Sequence, residues 1–268
     1  MASPAVSAVS AAAVGQSQIT LKITTQHNAH PGLTDRLMDI VTAAFAEDQS
    51  FCWRYPERKK YPAHDRHLYW RYLGAELLDP SVYVVVAYLN DNGKEVPVGY
   101  STWERRGDGK KAEAKTRDSW LQRSERYLFT LQERVYSTLF PNPAAYQPAI
   151  DLMRQSFAST DEELAALPGF EKYLHLNILV VDPSYQRRGI GEALVKWGVE
   201  KVKRENMPAA LEASRAGKRV YSKCGFQELK IIDAFHPSED RPWVEGMHCH
   251  EQGCAFAMGT VMTFQPSS

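Results

Sequence analysis

The sequence predicts a mixed α/β fold, an α+β arrangement with one central sheet of about six to seven strands flanked by helices. Three observations predict it. Apolar segments with strand character alternate with segments whose apolar residues recur every three or four positions. Asn90-Asp91-Asn92-Gly93 separates two apolar runs as a hairpin turn does. An apolar run at 174–181 passes through a turn into Gln186-Arg187-Arg188-Gly189-Ile190-Gly191, and a helical pattern beginning Glu192-Ala193-Leu194-Val195 follows.

The elements follow in order. Residues 19–25 alternate apolar and polar and are β-branched, so they read as a first strand. Leu37, Met38, Ile40, Val41, Ala44 and Phe45 give helical spacing over 34–46. Residues 47–61 read as an aromatic loop carrying Phe51, Trp53 and Tyr55, and 63–78 as a second helix. Residues 82–89 form a buried strand, and 96–104 return beside it, with Pro97 tolerated near the start.

Residues 105–170 form a helical insertion. It opens with a solvated loop at 105–111 and continues as a helix near 118–140. A turn at Pro141, Pro143 and Pro148 follows, then one or two short helices before Pro168-Gly169. The central strand spans 170–182, with 188–205 as its crossover helix. A strand at 209–213, a short helix at 216–223 and strands near 226–232 and 254–264 complete the sheet.

Bulk properties narrow the function. There are 32 basic and 32 acidic residues, a formal net charge of zero, which argues against a nucleic-acid surface. No apolar run approaches the ~20 residues needed to cross a bilayer. Four cysteines, Cys52, Cys224, Cys249 and Cys254, are too few and scattered for a disulfide framework, so a reduced, cytoplasmic protein is expected. Residues 1–17 carry no charge and lack the basic start of a secretory signal; they read as a flexible tail before a single domain over 18–268. His248-Cys249-His250 with Cys254 does not match a common zinc spacing, so no metal is expected.

The loop at 186–191 has the makings of an anion site. Gly189 and Gly191 let the backbone approach a ligand, and the first-turn N–H groups at Ile190, Gly191 and Glu192 have no intrahelical acceptor. The helix dipole adds partial positive charge, and Arg187 and Arg188 can add charged donors. A pyrophosphate suits such a cradle.

Gln186-x-x-Gly189-x-Gly191 between a strand and a helix resembles the acetyl-CoA motif of the GNAT superfamily, the Gcn5-related N-acetyltransferases. Residues 209–229, with Tyr221 and Gly225-Phe226, resemble that family's later signature. The close resemblance covers 172–232 and extends loosely to 19–104; the 105–170 insertion departs from the family pattern, as a packed decoration or as a lid over the substrate site.

The resemblance implies a GNAT fold, acetyl-CoA as cofactor and N-acetylation of an amine by direct attack in a ternary complex. It implies a strand bulge that opens a slot for the pantetheine arm beside Leu179, Val180 and Val181, with a backbone N–H of Val180 or Val181 on the oxyanion. It implies Tyr221 as the acid that protonates the departing thiolate, and contacts from Ser214 and Lys218 to the cofactor.

For the base there are two candidates. His175 lies eleven residues before Gln186, a register that resembles arylalkylamine N-acetyltransferases; these carry a second His two residues on, where this chain has Asn177. Alternation puts Tyr173, His175, Asn177 and Leu179 on one face of the strand and Leu174, Leu176, Ile178 and Val180 on the other. A His and an Asn in an apolar strand want a polar cavity, and a hydrogen-bonded structural His is the alternative. Glu212 on the next strand is the second candidate, with a plain ion pair as its alternative reading.

The expected acceptor is a small-molecule primary amine, with Phe51, Trp53 and Tyr55 as candidate pocket residues. A lysine or N-terminal acetyltransferase and a non-catalytic acyl-CoA-binding module are the alternatives. Edge strands near the C terminus suggest a homodimer.

Overall fold

The computed structural model describes residues 19–30, 32–91, 93–232 and 259–266. Seven strands form one sheet: β1 (Ile19–Thr24), β2 (Val82–Asp91), β3 (Lys94–Gly107), β4 (Lys172–Val181), β5 (Ala209–Ala213), β6 (Gln227–Ile232) and β7 (Gly259–Phe264). Their order is β1-β2-β3-β4-β5-β7-β6. Neighbours run antiparallel except β4 and β5, which are parallel. A parallel pair needs a crossover, here the helix at Ile190–Glu205.

The helices are α1 (Leu33–Ala44), α2 (Gln49–Arg54), α3 (Pro62–Leu78), α4 (Asp108–Arg117), α5 (Trp120–Leu139), α6 (Gln147–Ala165), α7 (Ile190–Glu205) and α8 (Lys218–Lys223). One face of the sheet packs on α7 and α8 through Val85, Ala87, Trp103, Leu174, Leu176, Leu194, Val195 and Phe226. On the other face, α1 and α3 pack on Val84, Val86, Tyr100 and Val180. Further along that face, α6 and α2 contribute Ala149, Leu164 and Trp53 to a cluster with Tyr173, Ala210 and Val261. Gly198 on α7 lets the Trp103 indole close in; a Cβ there would lie 2.2 Å from it.

Four expectations change. Residues 47–61 are not a loop: Asp48 accepts a hydrogen bond from Phe51 N and caps α2, and a 3₁₀ turn follows at Arg58–Lys60. The solvated start of the insertion is ordered, because β3 runs on through Arg105 and Arg106 to Gly107, and α4 begins at Asp108. α4 has no apolar stripe to betray it; Glu113 anchors it by taking the Tyr83 hydroxyl and pairing with Arg105. Pro148 sits in the first turn of α6, where its missing N–H costs nothing, so the residues behind it form one long helix instead of short ones.

The fourth change concerns β4. Trp103 pairs with Leu176 and Thr102 with Ile178, so Asn177 is an extra, bulged residue. The bulge resets the alternation. Leu174 and Leu176 face α7, whereas Ile178 and Val180 face α1 and α3, and Leu179 lies on the α7 side, away from His175. The bulge also ends the pairing with β5. β4 and β5 are joined only over Leu174–Leu176 and Ala209–Leu211, and beyond that point they part.

Of the expected strand at 254–264, the structure describes Gly259–Phe264, and the remainder, like His248, Cys249, His250 and Cys254, lies outside the described residues, as does the expected tail at 1–17.

Candidate active site

A cleft of about 1060 Å³ runs from the N terminus of α7 to the point where β4 and β5 part. One wall is Leu179, Val180 and Val181 on β4. A second is Ser214, Gly217, Val220 and Tyr221 around α8. The α1–α2 connection brings Phe45, Glu47, Asp48 and Ser50. Every second residue along 178–181 aims its N–H away from β3 and into the gap, where β5 no longer receives it.

At one end is the loop at 186–191. Arg187 and Gly189 both take left-handed backbone conformations, φ 60° and 79°. Gly189 caps α7, and the amides of Ile190, Gly191 and Glu192 open onto the cleft. Gln186 Nε2 donates to Val181 O at 3.1 Å and fastens the loop to β4. Arg36 of α1 braces the preceding turn through Asp182, at 2.5 Å. Burial raises the Asp182 carboxyl, but hydrogen bonds from Ser184 and Arg36 outweigh it and hold the group below its ordinary value.

Twelve cofactor residues were expected from the sequence: Leu179, Val180, Val181, Gln186, Arg187, Arg188, Gly189, Ile190, Gly191, Glu192, Ser214 and Lys218. All but Arg188 and Lys218 line the cleft. Arg188 turns back, donating to Ser184 O at 3.3 Å and stacking over Tyr185. Lys218 pairs with Glu228 at 2.7 Å. In their place Arg215, Arg219 and Lys223 line the wall, adding to Arg187. Arg219 and Lys223, four apart, share a face of α8, and Arg215 lies in the turn before it.

The expected acid lines the cleft too, whereas the two expected bases, His175 and Glu212, do not; Glu212 lies close enough to Tyr221 to act on its hydroxyl. Tyr221 lines the cleft and is 8% exposed. Gly217 lets its ring lie flat against the turn, since a Cβ there would meet Tyr221 Cε2 at 2.9 Å. Burial pushes its phenol well above the ordinary value, with further lift from Cys224 and the Glu212 carboxylate, so the hydroxyl keeps its proton.

His175 and Glu212 touch. Nε2 of His175 lies 3.0 Å from Glu212 Oε2, and the side chains are 3% and 17% exposed. Burial raises the Glu212 carboxyl, but His175 and Arg106 together bring it below its ordinary value. Sequence reading offered the two as alternatives; the parallel register of β4 and β5 makes them one unit.

Around this pair lies a polar network the sequence did not announce. Asn177 Oδ1 faces His175 Nδ1 at 2.9 Å and accepts from Arg106 at 3.1 Å. Asn177 Nδ2 donates to Glu76 of α3 at 3.2 Å, and Thr102 donates to the same carboxylate at 2.7 Å. Burial pushes Glu76 up to about 7 against those hydrogen bonds, and its Oε2 is buried without a partner among the described residues. Arg106 also binds Asp161 of α6 and Glu104, which holds Lys110.

Trp53 and Tyr55 are core residues, buried in separate clusters, and Phe51 stacks between Phe45 and Tyr69. No residue of 105–170 lines the cleft. The insertion reaches the site through Arg106 and Asp161, behind His175. Among the described residues no cluster is arranged to hold a metal, and no helix is long and apolar enough to cross a membrane.

Known proteins resemble this chain in sequence and in fold. Residues 157–228 match the family model of the acetyltransferase (GNAT) domain. An acetyltransferase from Stachybotrys chartarum is 25% identical over 212 residues, 76% of this chain and 80% of the relative. A crystal structure of a histone acetyltransferase HPA2 and related acetyltransferase from Corynebacterium glutamicum has 20% identity and a TM-score of 0.53, over 93% of this chain and 97% of that one. A Drosophila melanogaster polyamine N-acetyltransferase has 14% identity and a TM-score of 0.51, over 91% of this chain and 98% of its own. The fold is that of the GNAT acetyltransferases. The match to the acetyltransferase (GNAT) domain covers residues 157–228 and, with the relative named an acetyltransferase, supports an acyltransferase.

Proposed function

We propose that this protein is an acetyl-CoA-dependent N-acetyltransferase that acetylates a small-molecule primary amine by direct attack in a ternary complex. The observation that carries the reading is one continuous cleft with an anion cradle at its first end and Tyr221 near Glu212–His175 at its second. The cofactor's pyrophosphate lies on the amides of Ile190, Gly191 and Glu192, with Arg187, Arg215 and Arg219 near its phosphates. Its pantetheine arm fills the gap between β4 and β5.

An ammonium has no lone pair, so the reaction needs a proton acceptor first. Glu212 with His175 supplies it. The amine nitrogen then attacks the thioester carbon, and the backbone N–H of Val181, which points into the gap while that of Val180 faces Tyr100 of β3, receives the developing oxyanion. As the C–S bond breaks, the Tyr221 hydroxyl gives its proton to sulfur, and the second proton lost by the attacking nitrogen returns to the phenolate. Both cysteines among the described residues, Cys52 and Cys224, have thiols raised by burial, which disfavours a covalent acetyl-enzyme. The Glu212 carboxyl is largely enclosed, which suits a slim aminoalkyl end.

The test is thiol release from acetyl-CoA against arylalkylamines, polyamines, amino acids, aminoglycosides and lysine peptides. The expected result is turnover on one class of small amine. Turnover confined to peptide lysines or N-termini would replace the acceptor. Acetyl-CoA binding without turnover on anything would leave a non-catalytic acyl-CoA-binding module.

A further inference from the structure

Asn177 is the bulged residue of β4, and its amide is gripped on both sides. Arg106 Nη2 donates to Oδ1 at 3.1 Å, and Nδ2 donates to Glu76 Oε1 at 3.2 Å with Glu104 Oε2 at 3.5 Å. A guanidinium can only donate, so Arg106 fixes which end of the amide is oxygen, whether or not Glu76 carries a proton. The same Oδ1 faces His175 Nδ1 at 2.9 Å. An amide oxygen can only accept, so the hydrogen of a neutral His175 ring belongs on Nδ1. The bare nitrogen is then Nε2, aimed at a carboxylate 3.0 Å away.

We propose that Asn177 is a positioning residue that locks His175 in its Nδ1–H tautomer, so that Nε2 and Glu212 together take up the proton of the amine. The inference rests on the N-acetyltransfer reading above. Without a proton between them, a ring lone pair and a carboxylate oppose each other where both side chains are largely buried. One proton relieves that opposition and leaves an imidazolium–carboxylate pair. In the step, an N–H bond of the ammonium breaks and its electron pair stays on nitrogen. The proton forms an O–H bond on Glu212 and then passes to Nε2, restoring the carboxylate.

The charged and titratable groups facing the pair come from every element packed on it: Glu76 from α3, Glu104 and Arg106 from β3, Asp161 from α6, Tyr173 from β4 and Tyr221 from α8. Arg106 and Asn177 are thus the residues through which the inserted region touches the chemistry.

The experiment is ¹⁵N NMR of the histidine side chains from about pH 6 to about pH 10, with His175→Gln for assignment, beside steady-state kinetics. The wild-type neutral ring is expected as Nδ1–H. Asn177→Leu, which removes the acceptor, is expected to move the hydrogen to Nε2 and lower kcat by at least about tenfold, with KM for acetyl-CoA unchanged. Asn177→Asp keeps an acceptor oxygen beside Nδ1 and is expected to retain the tautomer and most of kcat. An Nε2–H ring in the wild type, or wild-type kcat in Asn177→Leu, overturns the proposal. If Asn177→Leu fails to fold, the wild-type spectrum and Asn177→Asp still decide. An Nδ1–H ring in a protein inert toward every amine overturns the acetyltransfer reading and with it the proton-uptake role, while leaving the tautomer lock in place.

Discussion

The two ends of the cleft are built differently. The cradle at α7 is made of backbone: left-handed residues at Arg187 and Gly189, and helix amides no side chain needs to supply. Behind the Tyr221 end lie buried side chains, and those that meet around Asn177 come from α3, β3, β4 and β5. On the reading proposed above, the first holds a group common to every coenzyme A thioester. The second must manage protons for one reaction, and its parts lie up to 136 residues apart, from Glu76 to Glu212. A backbone site is local and survives in a short motif; a side-chain site is assembled by topology.

If that contrast is right, changes at the two ends separate in kinetics. The largest effect belongs to the side-chain end. Tyr221→Phe and Glu212→Gln should each lower kcat by about 10²-fold or more, with little change in the KM for acetyl-CoA. A loss confined to KM at either position would break the comparison.

At the backbone end the signature reverses. A Cβ at Gly191 would meet Val181 at 3.8 Å, ordinary contact, so Gly191→Val folds but fills space above the amides. Acetyl-CoA affinity should fall about tenfold or more, with kcat at saturation nearly kept. Because Arg187, Arg215, Arg219 and Lys223 ring that end, added salt should raise the KM for acetyl-CoA and leave kcat alone. Titration calorimetry and salt-dependent kinetics check both.

Gly198→Ala sharpens the comparison from outside the site. Alanine is the better helix former, yet its Cβ would overlap the fully buried Trp103 ring, so a net loss of about 1–3 kcal/mol is expected in denaturant melts. A stabilised variant would mean that α7 moves easily away from β3, and the cradle with it.

A smaller effect, seen in pH, comes from Glu76. Burial pushes its carboxyl up to about 7 from the ordinary 4.5. A group raised in the folded state contributes stability below its unfolded value, and that contribution is lost as pH rises through the folded one. Stability should therefore decline between about pH 4.5 and about pH 7, by at most about 1.4 kcal/mol per unit from this group. Glu76→Gln should flatten that slope, gaining on the wild type at pH 8 relative to pH 5 in thermal melts.

Much of this was legible in the sequence, and the failures have physical causes. Gln186-x-x-Gly189-x-Gly191 marked the cradle because left-handed turns and close approach demand glycine. The strand at 209–213 was placed by Pro208 before it and a basic turn after it. His175 and Glu212 were both found, but as rivals, because their contact depends on the register of two strands. The resemblance implied a bulge but not its place at Asn177, so the flip of Leu179 away from His175 was not read. Glu76 looked like any helix glutamate; only the packing of α3 against β3 and β4 buries it. Trp53 and Tyr55 were assigned to a pocket because aromatics in a presumed loop suggest one, but α2 turns them into core.

The most direct test is a crystal structure with acetyl-CoA bound. The account predicts the pyrophosphate on the amides of Ile190, Gly191 and Glu192, the pantetheine arm between β4 and β5, and the thioester sulfur within hydrogen-bonding reach of the Tyr221 hydroxyl. A cofactor bound elsewhere, or one whose sulfur ends far from Tyr221 and Glu212, would contradict it.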